Sequence, residues 1–293
     1  MTAAAATLMA RVAADAAIPA AAPRDLYLQR PDGRLAYSDI GSGPLVVMVP
    51  GLGDLKEEYR FLAPKLVAAG YRAVTVDIRG HGNSSTGWPD YTCAAQGSDI
   101  LALVRQLRAG PATVIGTSMG AGAAAWAAAE APDEIASLVL VGPFVRDVPL
   151  GSWWKEKLMK AMIRVAFAGP WATRAWAAYY ASLYPTAKPA DLDAYSARLR
   201  ANLAEPGRMA ATRAMMNASK ADVGGRLGEI RARTLVVMGS KDPDFPDAAA
   251  EAATVAKLTG GRVIMIEGAG HYPHAEMPEV TAPTVLGFLA EAR

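Results

Sequence analysis

The chain has 293 residues, of which 52% are hydrophobic and 20% charged, a balance suited to a globular protein with a large buried core in one large α/β domain or two small ones. A formal net charge of +2 gives no basic patch on which to seat nucleic acid, and the single cysteine, Cys93, excludes an internal disulfide and a cysteine-based zinc site. No run is long and apolar enough to span a bilayer. Residues 1–24 are alanine-rich. They lack a basic start and are interrupted by Arg11 and Asp15, so they read as an N-terminal extension rather than a secretory signal, and a cytoplasmic location is expected.

In chain order, residues 26–28 and 35–37 flank Pro31-Asp32-Gly33 and read as a hairpin. After Gly41-Ser42-Gly43-Pro44 comes the unbroken apolar run 45–49, suited to an interior parallel strand. Residues 57–69 read as a helix, 72–76 as a strand closed by Asp77, and 92–107 as a helix, with Cys93 an ordinary residue at its start. A strand over 112–115, an alanine-rich helix over 121–129 and a strand over 137–141 follow. The alternation then stops. Between 147 and 227 only helical stretches occur, such as 153–168 and 192–203, before strands at 234–238 and 262–266 alternate with helices at 247–258 and 278–290. This predicts a mostly parallel sheet of about eight strands flanked by helices, with a helical cap inserted after the sixth strand. The domain reading is an extension over 1–24, a core from 25–146 and 228–293, and a cap over 147–227.

The densest signal is Gly116-Thr117-Ser118-Met119-Gly120, between a short buried strand and a small-residue helix. A strand turning sharply into a helix needs glycine on either side of the corner, and the corner residue is strained with its side chain projecting above the sheet. This stretch resembles the nucleophile elbow of the α/β-hydrolase superfamily, which makes Ser118 the expected nucleophile.

A serine hydroxyl needs a base, and the base needs an orienting acid. There are three histidines. His81 lies in Asp77-Ile78-Arg79-Gly80-His81-Gly82, which resembles a scaffolding loop of the superfamily. His271 and His274 both follow the last strand. His271 comes first, after Gly268 and Gly270, and is preferred, while His274 reads as a surface or capping side chain. Asp242, on the turn after strand 234–238, fits the superfamily's spacing for its acid. Asp244 is the rival, and Asp247 reads as a helix N-cap. The order Ser118, Asp242, His271 is that of the superfamily. By the same resemblance the oxyanion donors are the backbone N–H groups of Leu52 and Met119, although Pro50 stands where the superfamily often has histidine, which removes a support of that loop.

Two other readings are weaker. Gly51-x-Gly53 after a strand suggests dinucleotide binding, but the third glycine of that fingerprint falls on Lys56. A metal on His271 and His274 lacks further histidine or cysteine ligands. No metal and no cofactor are therefore expected. The expected function is hydrolysis of small to medium apolar carboxylic esters by a Ser-His-Asp triad. Alternatives on the same fold are a triad-bearing ligand sensor with slow turnover, an acyltransferase, a C–C hydrolase or a perhydrolase. The presumed cap carries Trp153, Trp154, Phe167, Trp171, Trp176, Tyr179 and Tyr180 with Met159, Met162, Met215 and Met216, from which an apolar pocket is expected.

Overall fold

The computed structural model describes residues 25–147 and 153–291, with the backbone alone at 155, 156, 159 and 160. The expected N-terminal extension lies outside the described residues. Eight strands form one sheet: β1 (Leu26–Arg30), β2 (Gly33–Ile40), β3 (Leu45–Val49), β4 (Arg72–Val76), β5 (Ala112–Thr117), β6 (Ile135–Val141), β7 (Arg233–Gly239) and β8 (Arg262–Ile266). Their order is β1-β2-β4-β3-β5-β6-β7-β8. β1, β2 and β4 pair antiparallel, and every pairing from β4–β3 to β7–β8 is parallel. The apolar run of β3 explains its central place. All five of its side chains are buried, and because successive residues face opposite sides, Val47 and Val49 join the core on one face while Val46 and Met48 join the core on the other. Each such side chain contributes roughly 1.5–3 kcal/mol of burial.

Helices cover both faces. On one side lie α1 (Ala63–Ala68), which contributes Ala63 and Leu66, and the C-terminal helix. On the other lie α2 (Cys93–Leu107) and α3 (Met119–Glu130). The helix expected over 57–69 is instead a 3₁₀ turn at Lys56–Tyr59 followed by α1. Pro64 explains the break: it has no N–H to donate into a preceding turn and is found in the first turn of α1. α2 is capped by Thr92, whose hydroxyl accepts from Ala95 N–H at 3.2 Å. α3 is alanine and glycine almost throughout and buried on nearly every side, which lets it lie close to both β5 and α2. A Cβ on Gly97 of α2 would stand 2.5 Å from the Trp126 ring of α3.

Between β6 and β7 run α4 (Trp153–Ala166), α5 (Ala172–Ser182), α6 (Leu192–Leu203), α7 (Arg208–Asn217) and the short α8 (Ala221–Gly224). No strand occurs there among the described residues. After β7 come α9 (Ala248–Thr259), capped by Asp247 as expected, then β8, α10 (Pro273–Glu276) and α11 (Pro278–Ala290). α5 and α6 meet the core through a third cluster, in which Tyr180, Leu183, Tyr184, Tyr195 and Leu199 pack on Leu55 and Tyr272. Leu55 follows β3 and Tyr272 follows β8, so the inserted helices rest on the loops at the carboxyl ends of the strands.

Candidate active site

β5 ends at Thr117 and α3 begins at Met119, so Ser118 alone makes the reversal. Its φ of 55° and ψ of −120° lie where non-glycine residues are strained. The corner is held from both ends. Ser118 N–H donates to Val141 O at 2.8 Å, and Ser118 O accepts from Ala121 N–H at 3.1 Å and from Phe144 N–H at 3.2 Å. The flanking glycines are required by contact. A Cβ on Gly116 would stand 2.5 Å from Gly120 O, and one on Gly120 would stand 2.4 Å from the carbonyl oxygens of both Val49 and Pro50.

Asp242 follows β7 and His271 follows β8, and the two meet. His271 Nδ1 lies 2.7 Å from Asp242 Oδ2, with both side chains buried. Asp244 N–H donates to the other Asp242 oxygen at 3.0 Å, which fixes the carboxylate plane. Nδ1–H donating to Asp242 leaves Nε2 as the lone-pair edge of the neutral ring, and Nε2 has no hydrogen-bond partner among the described residues. The loop carrying His271 is tied at two points: Gly270 N–H donates to Glu276 Oε2 at 2.6 Å, and His271 N–H to Leu183 O at 3.1 Å. Gly142, at the end of β6, makes room for the pair, since a Cβ there would stand 3.0 Å from the His271 ring and 3.2 Å from Asp242 Oδ2. Burial would lower the His271 pKa, but the Asp242 and Asp244 carboxylates outweigh it and raise the value to about 9.

The loop after β3 lies beside the elbow, for a Cβ on Gly51 would stand 3.2 Å from Ser118 Cβ. Among the described residues neither Leu52 nor Met119 N–H is spent on a backbone acceptor. The support that Pro50 cannot give comes from elsewhere. Gly51 N–H donates to Glu58 Oε2 at 2.7 Å, and Gly53 N–H donates to His81 Nε2 at 3.1 Å. His81 Nδ1 lies 2.8 Å from Arg79 O, which fixes the tautomer, and burial lowers its pKa to about 4. A scaffolding role for His81 matches these bonds.

His274 is neither on the surface nor a cap. It is buried, stacked on Tyr59 at 5.1 Å between ring centroids, with Nε2 3.0 Å from Glu58 Oε1. Burial lowers its pKa to about 3 and raises that of Glu58 to about 7. Asp54, which accepts from Tyr195 O–H at 2.5 Å, is pushed up to about 8 by burial and then by Glu58. This buried acid pair lies behind the loop after β3, and the sequence, which expects only a helix over 57–69 here, does not single it out.

The inserted helices bring Tyr179 and Trp176 toward the same place. Tyr179 O–H donates to Asp244 at 2.7 Å, and Trp176 packs against Gly53, where a Cβ would stand 2.3 Å from its ring. Of the residues expected to line a pocket, Trp176, Tyr180 and Met215 are buried, whereas Trp153, Trp154, Trp171 and Met162 are exposed. The Met159 side chain lies outside the described residues. Among those residues, Asp242, Asp244 and His271 are the set whose ligand atoms, all within 4.8 Å of one another, could hold a metal ion. It differs from the His271 and His274 pair considered from the sequence.

A family model for the α/β-hydrolase fold matches residues 44–278. The chain belongs to the α/β-hydrolase family. A 2-(acetamidomethylene)succinate hydrolase of Mesorhizobium japonicum is 27% identical over 263 residues, 85% of this chain and 89% of the relative. A pimeloyl-[acyl-carrier protein] methyl ester esterase of Neisseria meningitidis is 30% identical over 251 residues, 83% of this chain and 92% of the relative. Among solved structures, a hydrolase from Pseudomonas aeruginosa superposes with a TM-score of 0.75 at 26% identity, covering 92% of this chain and 99% of that one. This α/β-hydrolase is therefore similar to proteins that are themselves hydrolases.

Proposed function

We propose that this α/β-hydrolase is a serine hydrolase that cleaves carboxylic esters of small to medium apolar substrates through an acyl-enzyme. The observation that carries the reading is Ser118, strained at a strand-to-helix corner with φ 55° and placed with the Asp242–His271 pair at the carboxyl ends of β5, β7 and β8. In this reading Ser118 Oγ attacks the ester carbonyl while His271 Nε2 takes its proton, and Asp242 holds the imidazolium through Nδ1–H. The N–H groups of Leu52 and Met119 receive the developing oxyanion, with Glu58 and His81 keeping the Leu52 loop in place. The protonated His271 then hands its proton to the departing alcohol, and water activated at the same nitrogen releases the acid. Residues 147–227 serve as the cap over this site. The relative named as a methyl ester esterase supports an ester rather than another acyl substrate.

A fluorophosphonate probe tests the assignment. It should add to Ser118 in the intact protein and not in Ser118→Ala, with ester turnover lost in parallel. Labelling at another residue, or unchanged turnover in Ser118→Ala, would remove Ser118 from the role.

One observation favours a second reading, a ligand sensor with slow turnover. Asp242 Oδ2 lies 2.7 Å from His271 Nδ1 and Asp244 Oδ2 3.7 Å from Nε2, and the two carboxylates favour the imidazolium over the free base. Turnover of a good ester below about one per minute at alkaline pH, where the base is free, would select the sensor.

A further inference from the structure

We propose that α4 is a docking surface for an anionic lipid bilayer, lying in the plane of the headgroups rather than crossing them. Its sequence places Trp154, Leu158, Met162 and Val165 along one stripe at spacings of four, four and three. Leu158, Met162 and Val165 are 54%, 52% and 64% exposed, where a helix covering a core would bury such a stripe. Trp171 extends the patch beyond the helix. It is also exposed, and its indole N–H donates back to Val165 O at 3.2 Å, which keeps the ring beside the stripe.

The adjoining stripe is Trp153, Lys157, Ala161 and Arg164, all exposed, with Lys157 Nζ 4.9 Å from the Trp153 ring centroid. Counted from the sequence, α4 holds Lys155, Lys157, Lys160 and Arg164 against the single acid Glu156. The whole chain, by contrast, is nearly neutral at +2, so positive charge is concentrated on the helix that also exposes its apolar side chains. That combination decides the occupant. An apolar stripe alone would fit a second copy of this chain, but two copies would bring like charges together, whereas a surface of anionic phospholipid matches both stripes at once. Tryptophan flanking such a stripe is suited to the headgroup level, with an apolar body and a polar N–H. At 14 residues α4 is about 21 Å long, too short to cross a bilayer, and no helix among the described residues is long and apolar enough to do so.

The patch is joined to the candidate site by two ring contacts. Phe167, just past α4, packs on Trp176 at 5.2 Å between centroids, and Trp176 rests on Gly53 of the oxyanion loop. Docking would thus place the lipid against the helix that reaches, through Phe167 and Trp176, the loop after β3. The inference itself does not depend on the proposed hydrolysis.

The full chain would be sedimented with vesicles of phosphatidylcholine alone and of equimolar phosphatidylcholine and phosphatidylglycerol, at low and at 0.5 M salt. Binding is expected on the anionic vesicles and to fall with salt. Leu158→Glu/Met162→Glu should lower the partition coefficient at least about tenfold, and Lys157→Gln and Arg164→Gln roughly fivefold each. All these variants should keep the thermal midpoint and the turnover of a short water-soluble ester, since none of the positions touches the candidate site. Equal partitioning of the Glu variant, equal binding to both vesicle types, or no binding at all would overturn the proposal. So would concentration-dependent dimerisation that Leu158→Glu/Met162→Glu abolishes, which would assign the face to a second copy.

Discussion

Asp244 Oδ2 lies 3.7 Å from His271 Nε2, the ring nitrogen opposite the one that Asp242 holds. A carboxylate on each edge of one imidazole stabilises the charged ring, and a charged ring cannot accept the proton of Ser118. The kcat/KM of ester hydrolysis is therefore expected to rise with pH and level off only above about 9. Asp244→Asn removes one of the two charges and should move the profile to lower pH, with plateau activity within about tenfold of the parent. A profile unmoved by Asp244→Asn would show that Asp244 does not act on His271.

His271→Ala and Asp242→Asn should each cost on the order of 10⁴ in kcat, because members of such a unit do not act independently. His274→Ala should leave kcat within about tenfold but lower stability by about 2–4 kcal/mol, since it empties a buried site against Tyr59. Kinetics paired with thermal unfolding separate the two effects. Loss of catalysis in His274→Ala with His271→Ala still active would move the base.

Glu58 adds a pH signature to stability. Its pKa is about 7 when folded against an ordinary 4.5, so the folded state holds a proton across that window that the unfolded chain has released. Its contribution is fully present below 4.5 and is lost as pH rises through 7. Glu58→Gln cannot ionise and should flatten the fall in thermal midpoint between pH 4.5 and 7. Because Gln Oε1 can still accept from Gly51 N–H, ester turnover should survive this change and fall in Glu58→Leu.

The proposed apolar pocket beneath a cap predicts that kcat/KM for p-nitrophenyl esters climbs roughly threefold or fourfold per methylene from acetate until the space is filled. An ester bearing a carboxylate should be disfavoured, because Asp244 already places a negative charge near His271. Trp176→Ala should weaken the longer esters most. A profile that is flat from acetate onward, or preference for the anionic ester, would remove the pocket from the account.

Dialysis against a strong chelator should leave ester turnover unchanged, since the proposed chemistry needs only Ser118, His271, Asp242 and two backbone donors. Lasting loss restored by a divalent cation would instead give Asp242, Asp244 and His271 a metal to hold.

Much of this fold was legible because its signals are local. A strand buried on both faces must be apolar at every position, as β3 is, and the Ser118 corner needs glycine at 116 and 120. Asp247 was readable as a cap for the same reason. What escaped depends on contacts distant in sequence or on side chains turned inward against their composition. Glu58 sits in a charged run but points at Gly51, and His274 looks like a loop residue until Tyr59 is placed over it. Pro64 broke a helix that periodicity alone would continue. The apolar residues of α4 follow helical spacing whether they face a pocket or water, so the pattern could not tell the two apart.

β6 and β7 are direct neighbours in the sheet, with Val139 opposite Leu235. Because the two strands are parallel, the chain leaves at the carboxyl end of β6 and must cross the length of the sheet to re-enter at the start of β7, a crossover that roughly ninety residues make. Each doubling of such a connection adds only about 0.6 kcal/mol of closure entropy. Substrate range can therefore diverge by lengthening, trimming or exchanging α4 to α8 while the strands carrying Ser118, Asp242 and His271 stay in register. A short glycine-serine linker in place of the whole insert would remove Leu183, whose carbonyl accepts from His271 N–H, and Tyr179, which donates to Asp244, so any exchanged insert must still hold the His271 loop.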